Sequence, residues 1–320
     1  MKYNPHDYQR YAINFIKEHP IAAILLDMGM GKTSIVLAAL NELMFDSFEV
    51  TKVLIIAPLR VAKHTWSGEI QKWDQLRGLR YSIAVGTAAE RVKALQTEAD
   101  IYIINRENVP WLIEKSGLPF DFDMVVIDEL SSFKNWQAKR FKALMQVRPK
   151  VKRIVGLTGT PSSNGLMDLF AEYKVLDLGK RLGRFISQYR AEYFVPDQVN
   201  GPIVYSYRLR KGADKRIYDR ISDITISMKG TDHLKMPELI SSEYPVYLDE
   251  DEREKYEAMA SELVINLPGG EVTAANAATL SGKLTQMANG AVYSDAGGIE
   301  HMVEPMLMAV QQRWIPDFYY

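Results

Sequence analysis

The sequence predicts an α/β fold in which a parallel sheet is covered by helices on both faces. Two observations lead to this prediction. Short apolar runs alternate with segments of helical periodicity through residues 1–176, and each run ends at glycine, proline or polar residues. Strands that are apolar on both faces occur in parallel sheets buried between two layers of helices. Ligands bind at the carboxyl ends of such strands, so we expect the functional residues there.

The predicted elements follow in chain order. A first helix is expected over residues 6–19, where apolar side chains recur at helical spacing. The predicted strands are residues 24–26, 53–57, 81–85, 100–104, 124–127 and 153–157. The predicted helices between them are residues 34–43, 59–73, 90–95, 109–113 and 136–147. Beyond a linker at 235–239, a strand is expected at 244–248 and helices at 249–264 and 280–288.

Composition narrows the class of protein. Hydrophobic residues make up 47% of the chain, enough for a sizeable core. The 39 Lys+Arg nearly balance the 40 Asp+Glu, so any basic surface must be local. Cysteine is absent, which excludes disulfides, thiolate metal sites and thiol nucleophiles. No apolar run approaches the length that crosses a membrane, so we expect no membrane partner and a soluble, intracellular protein.

The most informative motif is ILLDMGMGKT at residues 24–33, which precedes a predicted helix. Gly29 and Gly31 leave backbone N–H groups free to bind an anion, and the helix presents the positive end of its dipole to the same site. Lys32 can reach the outer phosphates of a nucleotide, and Thr33 can ligate Mg²⁺. The full phosphate-binding pattern has glycine where this chain has Leu26, so an ordinary turn before a helix is the alternative.

A glutamine in the first helix could belong to the same site. Gln9 lies just upstream of the first strand, and its paired donor and acceptor could read an adenine edge. A solvated helix residue is the alternative. The candidate nucleotide-binding residues are Gln9, Gly29, Met30, Gly31, Lys32, Thr33 and Ser34.

Two further strand ends carry candidate catalytic groups. Asp128 follows the strand at 124–127 and could hold the Mg²⁺ that bridges the β and γ phosphates. Glu129 could polarise the attacking water as a general base. Thr158, Gly159 and Thr160 form a turn at another strand end, where they could sense the γ-phosphate and couple it to motion. The order of the three motifs favours an ATP-driven motor over a kinase, because no acceptor-binding lid or sugar-binding motif lies between them.

Beyond residue 176 the alternation of strands and helices lapses. Residues 180–220 contain ten basic residues against four acidic ones, interleaved with aromatic side chains. Cations and aromatics together can track a phosphate backbone and stack on bases, which makes Arg208, Arg210 and Lys211 candidate nucleic-acid contacts. A solvated insertion with its aromatic side chains packed inward is the alternative, and the sequence does not decide between them.

Taken in order, the segments HDYQ, DMGMGKT, IIAPLRVAKHTWSGEIQKW, VIDEL and LTGTPSSNGLMDLF resemble the first motor lobe of a superfamily-two helicase. More narrowly, they resemble the SWI/SNF-like DNA-dependent ATPases of the form seen in bacteriophage genomes. The resemblance covers residues 1–176 well and 234–300 loosely. It implies a RecA-like P-loop NTPase lobe, ATP and Mg²⁺ as cofactors, and double-stranded DNA as a partner. It also implies an ATP-hydrolysing, DNA-stimulated helicase or translocase in the cytoplasm, the bacterial host's if a phage encodes the chain.

The resemblance assigns roles by position. Lys32 and Glu129 would be catalytic, Thr33 and Asp128 would hold Mg²⁺, and Gln9 would read adenine. The residues that would lie near the nucleic-acid backbone are Arg60, Lys63, His64, Trp66, Asn105 and Arg106. Ser131 stands where the DExx motif of RNA unwinders has histidine, which fits a translocase on double-stranded DNA.

The chain departs from the family pattern at its far end. The second lobe of the family contributes arginine fingers, and nothing after residue 300 resembles them. Loss of such an arginine lowers turnover by about 10³–10⁵-fold. We therefore expect lobe 1 at residues 1–176, a basic and aromatic insertion at 177–236, and a linker with an incomplete lobe 2 and atypical tail at 237–320. A second polypeptide would complete the motor; the alternative is an ATP-binding, nucleic-acid-binding regulatory protein without efficient turnover.

Overall fold

The computed structural model describes residues 1–159, 165–233, 248, 250–267, 270–274, 277–295 and 298–301. The chain forms two compact units, residues 1–237 and residues 238–320. Thr160, the linker at 235–239, residues 244–247 of the strand expected at 244–248, and the tail at 302–320 lie outside the described residues. Among the described residues, no helix combines the length and apolar character needed to cross a bilayer.

The first unit alternates strands and helices. Its strands are β1 Ile21–Leu26, β2 Val53–Ala57, β3 Tyr81–Ala84, β4 Ile101–Asn105, β5 Met124–Asp128, β6 Arg153–Thr158, β7 Phe194–Pro196, β8 Val199–Asn200, β9 Ile203–Val204, β10 Tyr207–Leu209 and β11 Thr225–Met228. Its helices are α1 Asp7–Glu18, α2 Lys32–Phe45, α3 Leu59–Lys72, α4 Ala88–Gln96, α5 Val109–Glu114, α6 Lys139–Val147, α7 Leu169–Asp177, α8 Ile186–Tyr193, α9 Ala213–Ile221 and α10 Gly230–His233.

Seven of these strands form one sheet in the order β11-β1-β6-β5-β2-β4-β3, and every pair is parallel. In β1, Ala23 and Leu25 pack into the core on one face of the sheet, and Ile24 and Leu26 pack into the core on the other. Helices α1, α2 and α3 contribute to the second core, and α5 to α9 contribute to the first. The predicted parallel sheet with helices on both faces is confirmed.

The seventh strand was not predicted. β11 pairs with β1, with Ile226 opposite Ile24, so the chain returns to the sheet within the segment 177–236 that was expected to be an insertion. The expected end of lobe 1 at residue 176 falls inside α7. Residues 177–233 therefore belong to the same compact unit as the sheet.

The aromatic residues of this segment divide into two groups. Tyr189, Tyr193 and Phe194 are buried in the core, which agrees with the inward-packing alternative. Phe185, Tyr205 and Tyr218 are exposed. The rings of this second group are available to stack on a base.

The second unit is small. Its elements are α11 Glu250–Glu262, β12 Val264–Leu267, β13 Gly270–Thr273, α12 Ala277–Ala288, β14 Ala291–Tyr293 and β15 Ile299–His301. The strands form two antiparallel hairpins, and a core around Met259, Val272 and Met287 holds them to the helices. The helices expected at 249–264 and 280–288 correspond to α11 and α12.

Candidate active site

The loop between β1 and α2 owes its shape to two glycines. Gly29 and Gly31 have φ angles of +82° and +78°, in the left-handed region that glycine adopts without a steric penalty. A Cβ atom at Gly31 would also lie 2.6 Å from Nε2 of Gln9. The loop and α1 can therefore approach this closely only with glycine at position 31.

The middle of the loop is hydrogen-bonded to α1. Met30 is fully buried, and its carbonyl oxygen accepts hydrogen bonds from the Tyr8 hydroxyl at 3.1 Å and from Nε2 of Gln9 at 3.2 Å. Oε1 of Gln9 accepts the His6 backbone N–H at 3.0 Å. Gln9 thus joins the start of α1 to the loop, and the side chain of Met30 points into the core and away from a ligand.

Lys32 lies at the carboxyl edge of the sheet. Its Nζ atom donates to the carbonyl oxygens of Leu26 at 2.7 Å and Asp27 at 3.0 Å. Burial lowers the pKa of Lys32, and the negative charges of Asp128 and Glu129 oppose that shift. The phosphate-binding candidate and the two candidate carboxylates therefore lie within electrostatic reach of one another.

A cleft of about 480 Å³ opens beside the loop, a size suited to a small-molecule ligand. Its lining includes Gln9, Gly29, Gly31, Lys32, Thr33 and Ser34 from the predicted site, together with Tyr3, Asn4, His6, Thr65, Glu69, Lys72 and Trp73. The hydroxyl of Ser34 donates to the Gly31 carbonyl at 2.9 Å and so supports the loop itself.

Asp128 is the last residue of β5, near the centre of the sheet. Oδ2 of Asp128 accepts a hydrogen bond from the indole Nε1–H of Trp66 at 2.9 Å. Burial raises the pKa of Asp128, and the Trp66 hydrogen bond and the charge of Lys32 act in the opposite direction. This carboxylate and the Thr33 hydroxyl are the hard oxygen donors that Mg²⁺ takes up alongside phosphates, so the residues fit that ion.

Glu129 has a φ of +70°, which is strained for a residue with a Cβ and is common at functional sites. Its Oε1 atom accepts hydrogen bonds from Thr158 at 2.8 Å and from Ser131 at 2.5 Å. Next to Thr158, a Cβ atom on Gly159 would lie 3.8 Å from Nζ of Lys32. The structure thus brings Thr158 and Gly159 to the same edge as Lys32 and Glu129; their roles in coupling stay predictions.

The candidate nucleic-acid contacts fall into three sets. Arg60, Lys63 and His64 are exposed at the start of α3. Trp66, four residues after Ala62 on the buried face of that helix, is 0% exposed. Because α3 turns it inward, Trp66 does not present its ring to solvent; its predicted position near the nucleic-acid backbone stays a prediction.

The second set follows β4. Asn105 is buried, and its amide donates to Glu107 at 3.0 Å and accepts from Asn108 at 2.5 Å. Arg106 donates to the same glutamate at 2.8 Å. These side chains hold the turn after β4, so a DNA contact by Asn105 would require it to leave its partners.

The third set is β10 and the turn after it. Arg208 and Lys211 are exposed. Arg210 donates from Nε to the Phe194 carbonyl at 3.0 Å, which ties it to β7. Arg208 and Lys211 are therefore the candidates in this set whose positive charges face solvent without such an anchor.

Sequence reasoning missed several residues of the cleft. Glu69 and Trp73 line the cleft and were not assigned; Trp73 donates to Oε2 of Glu69 at 2.6 Å. Tyr8, which donates to the loop from α1, was not assigned either. The one signal for Trp66 was its spacing of four from Ala62 and Ile70, which places all three on one helical face.

A phosphate-binding loop, a carboxylate at the end of another strand of the same sheet and a doubly covered parallel sheet define a RecA-like P-loop nucleotide-binding protein. Comparisons with known proteins narrow this class. The sequence model described as the SNF2-related domain matches residues 8–286. The chain belongs to the SNF2-related family, whose domain is a helicase-like ATPase domain.

Individual relatives agree with this assignment. The chain is 35% identical to protein p41 of Acyrthosiphon pisum secondary endosymbiont phage 1 over 299 residues, which cover 92% of this chain and 65% of that protein. It is 31% identical to the DNA excision repair protein ERCC-6-like of Mus musculus over 178 residues, or 53% of this chain and 14% of that protein. The chain thus spans less than two thirds of the length of either relative.

The fold has a solved counterpart. The Sulfolobus solfataricus SWI2/SNF2 ATPase core, solved in complex with dsDNA, superimposes with a TM-score of 0.59 at 24% identity. The match covers 82% of this chain and 53% of that one. It supports the RecA-like architecture of the fold.

Proposed function

We propose that this chain is the ATP-binding lobe of a DNA-dependent motor of the helicase or translocase type, which hydrolyses ATP to ADP and phosphate with Mg²⁺. The observation that carries the proposal is the meeting of Lys32, Asp128 and Glu129 at one edge of the sheet. A lysine for the phosphates, a carboxylate for the metal ion and a carboxylate for the water are the groups that phosphoryl transfer to water needs.

Each group has a distinct task in this proposal. Lys32 exchanges its bonds to the Leu26 and Asp27 carbonyls for the outer phosphates, whose negative charge is the better partner. Asp128 and Thr33 would hold the Mg²⁺ ion, which would supply positive charge against the phosphates. Glu129 takes the proton of the attacking water, and Thr158 keeps its carboxylate oriented. Gln9 recognises the adenine with the amide hydrogen and the lone pair that are not used in its hydrogen bonds to Met30 and His6.

We propose double-stranded DNA as the partner. The support is a relative of known structure that was solved with dsDNA, together with exposed cations on α3 and after β10. We also propose that arginines from a second lobe complete the catalytic site.

Steady-state ATP hydrolysis, measured with and without double-stranded DNA, tests the proposal. We expect DNA to raise turnover, and we expect Lys32→Ala to abolish both nucleotide binding and turnover. A matched control is Lys150→Ala, since Lys150 precedes β6 and so lies at the opposite edge of the sheet. Unchanged ATP affinity in Lys32→Ala would overturn the nucleotide site. ATP binding without turnover under either condition would favour the regulatory alternative.

A further inference from the structure

One buried side chain connects the proposed DNA-facing helix to the proposed metal ligand. Trp66 lies in the second turn of α3, is 0% exposed, and donates its indole N–H to Oδ2 of Asp128 at 2.9 Å. An indole nitrogen can only donate, so the partner oxygen must be an acceptor and is fixed as one. Close packing of the ring then fixes where that oxygen lies.

The two faces of α3 have different chemistry. Ala62, Trp66 and Ile70 lie on the buried face, whereas Arg60, Lys63 and His64 are exposed. A helix moves as a rigid body, so a force applied to its cations displaces the indole by a comparable amount. The displacement would reach Asp128 directly, through one hydrogen bond.

The sheet supports this geometry. α3 follows β2 after the single residue Pro58, and β2 pairs with β5, the strand that ends in Asp128. The first residue of α3 and the backbone of Asp128 are thus attached to neighbouring strands. The indole bridges them at the carboxyl edge.

We propose that Trp66 is a positioning residue that orients the Asp128 carboxylate for Mg²⁺ and transmits DNA engagement of α3 to that carboxylate. The inference rests on the proposed function and deepens it, because it names how the DNA-facing surface and the metal site of the same lobe communicate. Groups that hydrogen-bond to a metal ligand and orient it typically contribute about 10–100-fold to metal affinity.

Trp66→Phe removes the N–H donor and keeps an aromatic ring in the core. The matched control is Trp111→Phe, since Trp111 lies in α5 with the Arg91 guanidinium 4.0 Å from its ring centroid. The measurement is a Mg²⁺ titration of the binding of a fluorescent ATP analogue, repeated in EDTA and with duplex DNA. DNA binding is followed in the same samples.

In Trp66→Phe, we expect the Mg²⁺ midpoint to rise about tenfold or more, with the affinity in EDTA unchanged. We expect duplex DNA to shift the midpoint in the wild-type chain and in Trp111→Phe but not in Trp66→Phe. Equal midpoints in the two variants would overturn the proposal. So would an equal loss of affinity with and without Mg²⁺, because that pattern means that Trp66 only supports the cleft as a whole.

A second measurement needs no substitution at Trp66. The chain has five tryptophans, so indole N–H resonances can be assigned by replacing the other four one at a time. The Trp66 resonance should move when Mg²⁺ is added to the ADP-bound chain and move again with DNA; a resonance that stays in place overturns the proposal. A wild-type chain that binds no nucleotide would instead overturn the proposed function, on which the inference depends.

Discussion

The hydroxyl of Thr158 donates a 2.8 Å hydrogen bond to Oε1 of Glu129 and so joins the end of β6 to the turn after β5. Ser131 donates to the same oxygen. Because both donors bind Oε1, we expect Oε2 to be the oxygen that takes the proton of the attacking water. Glu129 has a left-handed φ of +70° in the turn from which its side chain makes these contacts.

Glu129→Gln should therefore separate binding from chemistry. The amide keeps the shape of the side chain but cannot act as a base, so ATP should still bind while hydrolysis falls by about 10²–10⁴-fold. Binding of a fluorescent ATP analogue and release of phosphate measure the two steps. Glu114→Gln, in α5, is the control and should change neither. Normal turnover in Glu129→Gln would place the base elsewhere.

Gln9→Ala should reduce the preference for ATP over GTP. One N–H of the Gln9 amide donates to the Met30 carbonyl, and Oε1 accepts the His6 backbone N–H. The amide has a second N–H and a second lone pair, which can pair with an adenine edge. Loss of that recognition should weaken ATP binding by about tenfold, roughly 1.4 kcal/mol, and GTP binding by less. Competition of the two nucleotides against a fluorescent analogue measures both. An equal loss for ATP and GTP would mean that Gln9 acts only by holding the loop.

Charge reversal at Arg208 and Lys211 together should weaken DNA binding and flatten its dependence on salt. Each phosphate contact that is lost lowers the slope of log K against log salt by about 0.9, so a double variant should lose up to about two units of slope. A salt titration of duplex binding measures this slope. Lys150→Glu, at the opposite edge of the sheet, is the control. An unchanged slope would exclude this surface from DNA binding.

Glu172 should make stability depend on pH. It is 0% exposed, and neither carboxyl oxygen has a hydrogen-bond partner among the described residues. Burial raises the pKa of Glu172 to about 9, with the charges of Asp168 and Glu129 adding to the shift and Lys134 opposing it. The folded chain therefore holds a proton here that the unfolded chain releases above its ordinary pKa.

Because the folded-state pKa is the higher one, the contribution of Glu172 to stability is complete below about pH 4.3 and is lost as the pH rises toward 9. Glu172→Gln removes this titration. Between pH 6 and pH 8 the variant should gain roughly 2–3 kcal/mol of stability relative to the wild type. Unfolding midpoints of both chains at the two pH values test this, with Glu114→Gln as the control. A difference that does not change with pH would mean that Glu172 is ionised in the folded state.

Local sequence patterns were sufficient to predict the strands of the sheet from β1 to β6. Runs such as Val53–Ala57 are apolar at every position, so they identify doubly buried strands without knowledge of their neighbours. β11 lacks that signal: of Thr225–Met228 only Ile226 is buried, because the strand lies at the edge of the sheet. Its pairing with β1 depends on a contact across about two hundred residues.

The candidate site shows the same division. The sequence by itself determined the phosphate-binding loop, because Gly29, Gly31 and Lys32 act through backbone freedom and reach within a few residues. It also determined that Asp128 and Glu129 end a strand. Only the tertiary structure decided that Trp66 faces Asp128 and that Thr158 faces Glu129, since each of these bonds joins side chains from different strand–helix units. Such contacts depend on strand order and helix rotation, and neither is encoded in the local spacing of residues.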